Sequence, residues 1–88
     1  MDDFSRAIAA EIRAERTARR LTQLELAKAA RLSESTIKRI EGEKVAVDTT
    51  QLVKICRAFG MKVSELAERA ERRQRNEGHV NHRQASSG

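Results

Sequence analysis

The chain has 88 residues, of which 39% are hydrophobic and 2% are aromatic, enough for one domain with a modest core. Its 18 Lys and Arg against 13 Asp and Glu leave a net charge of +5, which favours a polyanionic partner without identifying one. No apolar run approaches the roughly 20 residues that span a bilayer, and the first residues, Met-Asp-Asp-Phe-Ser, lack the basic and apolar regions of a signal peptide. We therefore expect no membrane partner and a cytoplasmic location.

An apolar residue recurs every fourth position near the start of the chain, at Phe4, Ile8 and Ile12. Either of two preceding aspartates, Asp2 or Asp3, can cap a helix, and acidic residues suit the positive end of the helix dipole. The pattern predicts a first helix that ends near residue 19. We expect three arginines of this helix to form a solvated face: Arg6, Arg13 and Arg19.

The segment 22–41 predicts two short helices around a tight turn. Ser33 stands where an N-cap is needed, so the second helix begins at about Glu34. The apolar residues of the whole segment fall mostly at helical spacing, and we expect them to pack the two helices together. They are Leu24, Leu26, Ala27, Ala30, Leu32, Ile37 and Ile40.

With its two isoleucines inward, the second of these helices turns polar and basic side chains outward. A helix of this kind fits the DNA major groove, and its exposed residues become the candidates for reading bases. Arg39 is the best match to guanine, because its planar fork fits the two acceptors of that base. Lys38 could read guanine or hold a phosphate. Glu34 could accept from cytosine or simply suit the helix dipole, and Ser35 is too permissive to specify a base.

A fourth helix is predicted after Asp48, a plausible cap, and before Gly60, which favours a left-handed helix end. Its apolar face consists of Leu52, Ile55, Cys56 and Phe59. Because Cys56 is the single cysteine, it cannot form an intramolecular disulfide. We interpret it as a small core residue in preference to a redox or metal-binding one.

A fifth helix is predicted to begin at Ser64 and to continue to about Arg73. From about residue 76 the composition turns to Asn, Gly, His, Gln and Ser, which favours a disordered tail over 76–88. The organisation predicted is therefore one domain, 1–75, followed by that tail.

Several short segments together resemble the helix-turn-helix domains of the phage repressor and Cro type, over about residues 8–70. The segments are Leu21-Thr22-Gln23, Glu25-Leu26-Ala27, Ser35-Thr36-Ile37, Arg39-Ile40-Glu41, and then Leu52, Ile55, Phe59-Gly60 and Leu66. The resemblance implies an all-α, compact, five-helix, lambda-repressor-like bundle with its recognition helix at about 34–41. Arg20 and Arg31 stand where the family often has glycine, and the loop 42–47 is slightly longer than usual and lacks the common proline.

The resemblance also implies roles for single residues. Gln23 would hold a DNA phosphate and brace the recognition helix, and Thr22 would cap its own helix and touch phosphate. Arg16 and Glu41 would form an internal ion pair linking the first helix to the end of the recognition helix. The remaining residues expected at phosphates, which orient the protein without reading sequence, are Ser33, Thr36 and Lys44.

The function implied is that of a sequence-specific DNA-binding transcriptional regulator, a repressor bound to double-stranded DNA at a palindromic operator. One short helix reads only a few base pairs, so we expect a homodimer on two half-sites. The alternative is a protein-interaction module of the same fold, such as an antitoxin or adaptor with a protein partner. No catalytic residue, metal site or cofactor is expected. The two histidines, His79 and His82, lack a Cys or acidic partner, and no phosphate-cradling glycine loop is present.

Overall fold

In a computed structural model of the protein, residues 1–87 are described, with side chains described for residues 1–76, and five α-helices account for the regular structure of this part. The prediction of an all-α, five-helix fold is confirmed. The helices are α1 (Asp3–Ala18), α2 (Gln23–Ala30), α3 (Glu34–Glu41), α4 (Thr49–Phe59) and α5 (Val63–Ser87). In the described part of the chain, none of them is both long and apolar enough to cross a membrane.

The first four helices each begin at a polar side chain that accepts a hydrogen bond from a backbone N–H of the first turn. This confirms the predicted caps, each of which stabilises its helix by about 1 kcal/mol. Thr22 and Asp48 also form complete capping boxes with the residue three positions later. The capping residues are Asp2, Thr22, Ser33 and Asp48.

The same four helices end in one common way. A residue just past each helix takes a left-handed conformation, and the next N–H bonds back to the carbonyl five residues earlier, as in a Schellman motif. The four residues and their φ angles are Arg20 (58°), Arg31 (58°), Glu43 (59°) and Gly60 (67°). Gly60 was predicted in this role, and Arg20 and Arg31 were noted as replacements for glycine. The left-handed conformation of Glu43 was not predicted. The glycine at the end of α3, Gly42, precedes this position by one residue and has φ −82°.

Relieving one of these left-handed positions should stabilise the protein. A left-handed conformation costs an L-residue roughly 1–2 kcal/mol, and the extra freedom of glycine in the unfolded chain offsets about 0.4–1 kcal/mol of that gain. Arg31→Gly should therefore raise the free energy of unfolding in urea by up to about 1 kcal/mol. Arg31→Ala is the control, since it removes the same charge and keeps the strain. Equal stability of the two variants would contradict this explanation.

The core lies where the five helices meet, and most predicted apolar positions are in it. Its buried residues are Ala7, Ile8, Ile12, Leu26, Ala27, Ala30, Ile37, Ile40, Ile55, Cys56, Phe59, Leu66 and Ala70. Cys56 is a core residue, as predicted. Burial is the main cause that raises the pKa of its thiol, and the negative charge of Glu65 is the second. The thiolate, which is the reactive form, is therefore disfavoured.

Two residues predicted on apolar faces are exposed instead. Phe4 is 40% exposed and Leu24 is 43% exposed. Phe4 lies in the first turn of α1, ahead of the buried stretch that begins at Ala7. Leu24 lies two residues before Leu26, about 200° around the helix from it, so burying the one exposes the other.

Ion pairs link α5 to α1. Glu15 accepts from Arg69 of α5 and from Arg19, the C-cap residue of α1, and Arg73 donates to Glu11 at 2.9 Å. Arg19 also lies over the ring of Phe59, with 5.3 Å between the guanidinium carbon and the ring centroid. Arg19 is exposed, as expected of a solvated face, and these contacts were not predicted from the sequence.

The helix α5 begins one residue before Ser64 and continues past Arg73, where its end was predicted. The ion pair of Arg73 with Glu11 gives this part of the helix a tertiary contact that sequence periodicity does not reveal. The predicted disorder over 76–88 falls almost wholly on residues whose side chains lie outside the described part, as do His79 and His82, and it stays a prediction.

The bonds to Glu15 should make stability depend on pH. Foremost the hydrogen bond from Arg19, and after it that from Arg69, hold the pKa of Glu15 below its ordinary value of 4.5, against the opposite effect of burial. Because the folded-state pKa is the lower one, the stabilisation is fully present above the unfolded-state value and is lost as pH falls through the folded-state pKa. Thermal unfolding of wild type and Glu15→Gln should differ at pH 7 and converge in acid. An equal difference at all pH values would assign the effect to packing.

Candidate nucleic-acid interface

The helix α3 has two chemically distinct sides. Ile37, Ile40 and Glu41 face the core and are buried. Ser35, Lys38 and Arg39 face outward and are exposed, and Glu34 is partly exposed. The structure thus brings the four predicted base-reading residues together on the side away from the core.

Within this outward side, Glu34 and Lys38 are one helical turn apart. The Lys38 ammonium lies 3.8 Å from the Glu34 carboxylate, and the two side chains are 59% and 41% exposed. Such a pair contributes at most a few tenths of a kcal/mol. Breaking this ion pair, so that either group becomes free to contact a DNA base, therefore costs little free energy.

Arg39 makes no side-chain hydrogen bond or ion pair with residues 1–76, so its guanidinium donors face solvent. It borders a shallow open groove between α3, the following loop and the start of α4. The other residues lining this groove are Thr36, Val45, Ala46, Asp48 and Gln51. A planar fork with no internal partner is available for a bidentate contact.

The start of α2 lies against the end of α3. Gln23 is partly buried, and its Nε2 donates to Oε1 of Glu41 at 3.1 Å. Thr22 precedes it, exposed, and accepts from the N–H of Glu25 through its hydroxyl oxygen at 3.0 Å. Gln23 therefore braces α3 at its C-terminal residue, and Thr22 orders the first turn of α2.

Glu41 is the centre of this arrangement and is only 3% exposed. Arg16 donates to it through Nε at 2.7 Å and through Nη2 at 3.0 Å, and also donates through Nη1 to the carbonyl of Leu21 at 2.8 Å. With Gln23, the carboxylate accepts three hydrogen bonds, which compensate the cost of burying its charge. The structure thus places together the two residues that the resemblance paired, and their bonds tie α1, the start of α2 and the end of α3.

Two more arginines of α1 reach the same end of α3. Arg13 donates through Nη1 to the carbonyl of Glu41 at 3.3 Å, and Nε of Arg6 lies 3.7 Å from the carboxylate of Glu43. Both residues are exposed, as expected of a solvated face, but each also makes a contact that was not predicted from the sequence. A signal was present in the sequence: positions 6, 13 and 16 fall within about 80° on one side of a helix.

The remaining residues predicted at phosphates lie at the two ends of α3. At its start, the Ser33 hydroxyl caps the helix and lies 2.8 Å from that of Thr36 and 3.2 Å from that of Ser35. At its end, Lys44 is exposed in the loop, where its backbone N–H bonds to the carbonyl of Arg39. Hydroxyl donors and one ammonium therefore flank the outward side of α3.

Comparison with known proteins gives the same architecture. Residues 11–71 match the family model of the Cro/C1-type HTH DNA-binding domain. A crystal structure of the clp gene regulator ClgR from Corynebacterium glutamicum superposes with a TM-score of 0.85, covering 94% of this chain and 88% of that one at 23% identity. Another crystal structure of that regulator gives 0.71, covering 77% and 88% at 28% identity. No curated protein matches the sequence.

Proposed function

The chain belongs to the Cro/C1-type helix-turn-helix DNA-binding family, and on that premise we propose that it is a transcriptional repressor that binds a palindromic operator as a homodimer. In this role α3 enters the major groove. The observation that carries the proposal is the outward side of α3, polar and basic and separate from the side that packs in the core.

In the complex, contacts divide into those that read bases and those that hold the backbone. Arg39 donates to guanine, while Lys38, Glu34 and Ser35 contact neighbouring base edges. Residues at the start of α2 and around both ends of α3 donate to phosphates, which sets the depth and angle of α3 in the groove. They are Thr22, Gln23, Ser33, Thr36 and Lys44.

The dimer follows from the size of the reading element. With eight residues, α3 is about 12 Å long, which limits one copy to a few base pairs. Two copies on half-sites about one helical turn apart supply the specificity that a genome requires.

Selection from random duplex DNA on the purified protein at physiological salt tests the proposal. Enrichment of a palindrome with half-sites near one helical turn apart is the expected result. Enrichment of a single half-site would remove the homodimer from the proposal and leave the sequence reader. Binding without any enrichment would refute sequence-specific repression and favour the protein-partner alternative, for which co-purification is the next experiment.

A further inference from the structure

The arginines that α1 directs at the end of α3 differ in what they contact. Arg16 bonds the carboxylate of Glu41, and Arg6 lies beside the carboxylate of Glu43. Arg13 instead donates to a neutral backbone carbonyl, and no carboxylate of the described residues lies within ion-pair distance of it. Of the three, Arg13 alone keeps its positive charge uncompensated by a neighbouring carboxylate.

This charge lies at the C-terminal end of α3. The single bond from Nη1 to the carbonyl of Glu41 anchors the guanidinium over the C-terminal end of α3, and the residue is exposed. A guanidinium has five N–H donors, so four remain for a ligand. The ligand that suits an anchored planar fork of this kind is an oxyanion such as phosphate.

The position of that guanidinium matches the expected position of a DNA strand. A recognition helix in the major groove places its N-terminal residues at the base edges. The C-terminal end of α3, where Arg13 is bonded, therefore lies toward the edge of the groove, where the phosphates are. We propose that Arg13 is a backbone-phosphate contact of the DNA complex, an inference that rests on the proposed function.

The test compares three full-length variants with wild type on the selected duplex and on a random-sequence duplex across a salt series. Arg13→Gln keeps an N–H donor and removes the charge, Arg13→Lys keeps the charge, and Arg57→Gln removes one charge from an exposed position of α4. Arg13→Gln should weaken binding to both duplexes by about three- to tenfold. The slope of log K against log salt should also fall by about 0.9, the value for one phosphate contact. Arg13→Lys should keep the slope, and Arg57→Gln should change it less.

Two results would overturn the role of Arg13 while leaving DNA binding intact. One is an unchanged slope for Arg13→Gln. The other is equal loss of affinity in Arg13→Lys and Arg13→Gln, which would mean that Arg13 only caps α3. Thermal unfolding of each variant identifies any loss that comes from unfolding. Failure of wild type itself to bind either duplex would refute the proposed function instead.

Discussion

Arg16→Met is expected to lower the free energy of unfolding by about 3–5 kcal/mol, because it leaves the buried carboxylate of Glu41 without its charged partner. Gln23 would remain as a donor, but a neutral amide cannot compensate a buried negative charge. For a domain of this size the melting temperature should fall by more than roughly 10 °C. Denaturant unfolding followed by circular dichroism measures the change.

The exposed pair of Arg6 and Glu43 provides the matched control. Its atoms are 3.7 Å apart and both side chains are well exposed, so Arg6→Met should cost less than about 1 kcal/mol. Combining Arg16→Met with Glu41→Leu should recover much of the lost stability, since an apolar pair removes the buried charge altogether. If Arg16→Met cost no more than Arg6→Met, the two bonds from Arg16 to Glu41 would not contribute to stability as inferred.

Arg39→Ala should relax the base preference at one position of each half-site, at a cost of about 1–3 kcal/mol on the selected duplex and much less on random DNA. The physical reason is that a guanidinium paired with guanine distinguishes bases, whereas any sequence offers it the same phosphates. Selection repeated with the variant, together with titration on both duplexes, gives the two quantities.

Lys44→Ala is the comparison, because its ammonium lies in the loop after α3 and is assigned to a phosphate. It should weaken binding to both duplexes alike, flatten the salt dependence and leave the selected sequence unchanged. If Arg39→Ala also weakened both duplexes equally, Arg39 would be a phosphate contact and base reading would have to pass to Lys38 or Glu34.

The starts of the helices could be predicted from the sequence because capping is local chemistry. A hydroxyl or carboxylate at residue 2, 22, 33 or 48 satisfies N–H groups only three positions away. The left-handed ends were harder to predict, since Glu43 takes a left-handed conformation that glutamate rarely adopts. Phe4 was misplaced because the part of α1 that its neighbours cover depends on helix packing. Leu24 was misplaced although its position about 200° around the helix from Leu26 already indicated its exposure.

The candidate site shows the same limit. The outward residues of α3 followed from helical periodicity, because two isoleucines fix which side faces the core. The contacts of Arg6 and Arg13 did not follow, since they join residues 28 or more positions apart and depend on the packing of α1 against α3. Pairing Arg16 with Glu41 came only from the resemblance to a family, and nothing in their spacing required it.

The separation of α3 into two sides has a consequence for changing what the protein recognises. The inward residues Ile37, Ile40 and Glu41 hold the helix in place, and the outward residues contribute almost nothing to that task. The residues at the outward positions can therefore be substituted together while the position of α3 in the fold is kept. A library varied at positions 34, 35, 38 and 39, with glycine and proline left out, should yield folded proteins whose operators differ while their unfolding free energies stay close to that of wild type.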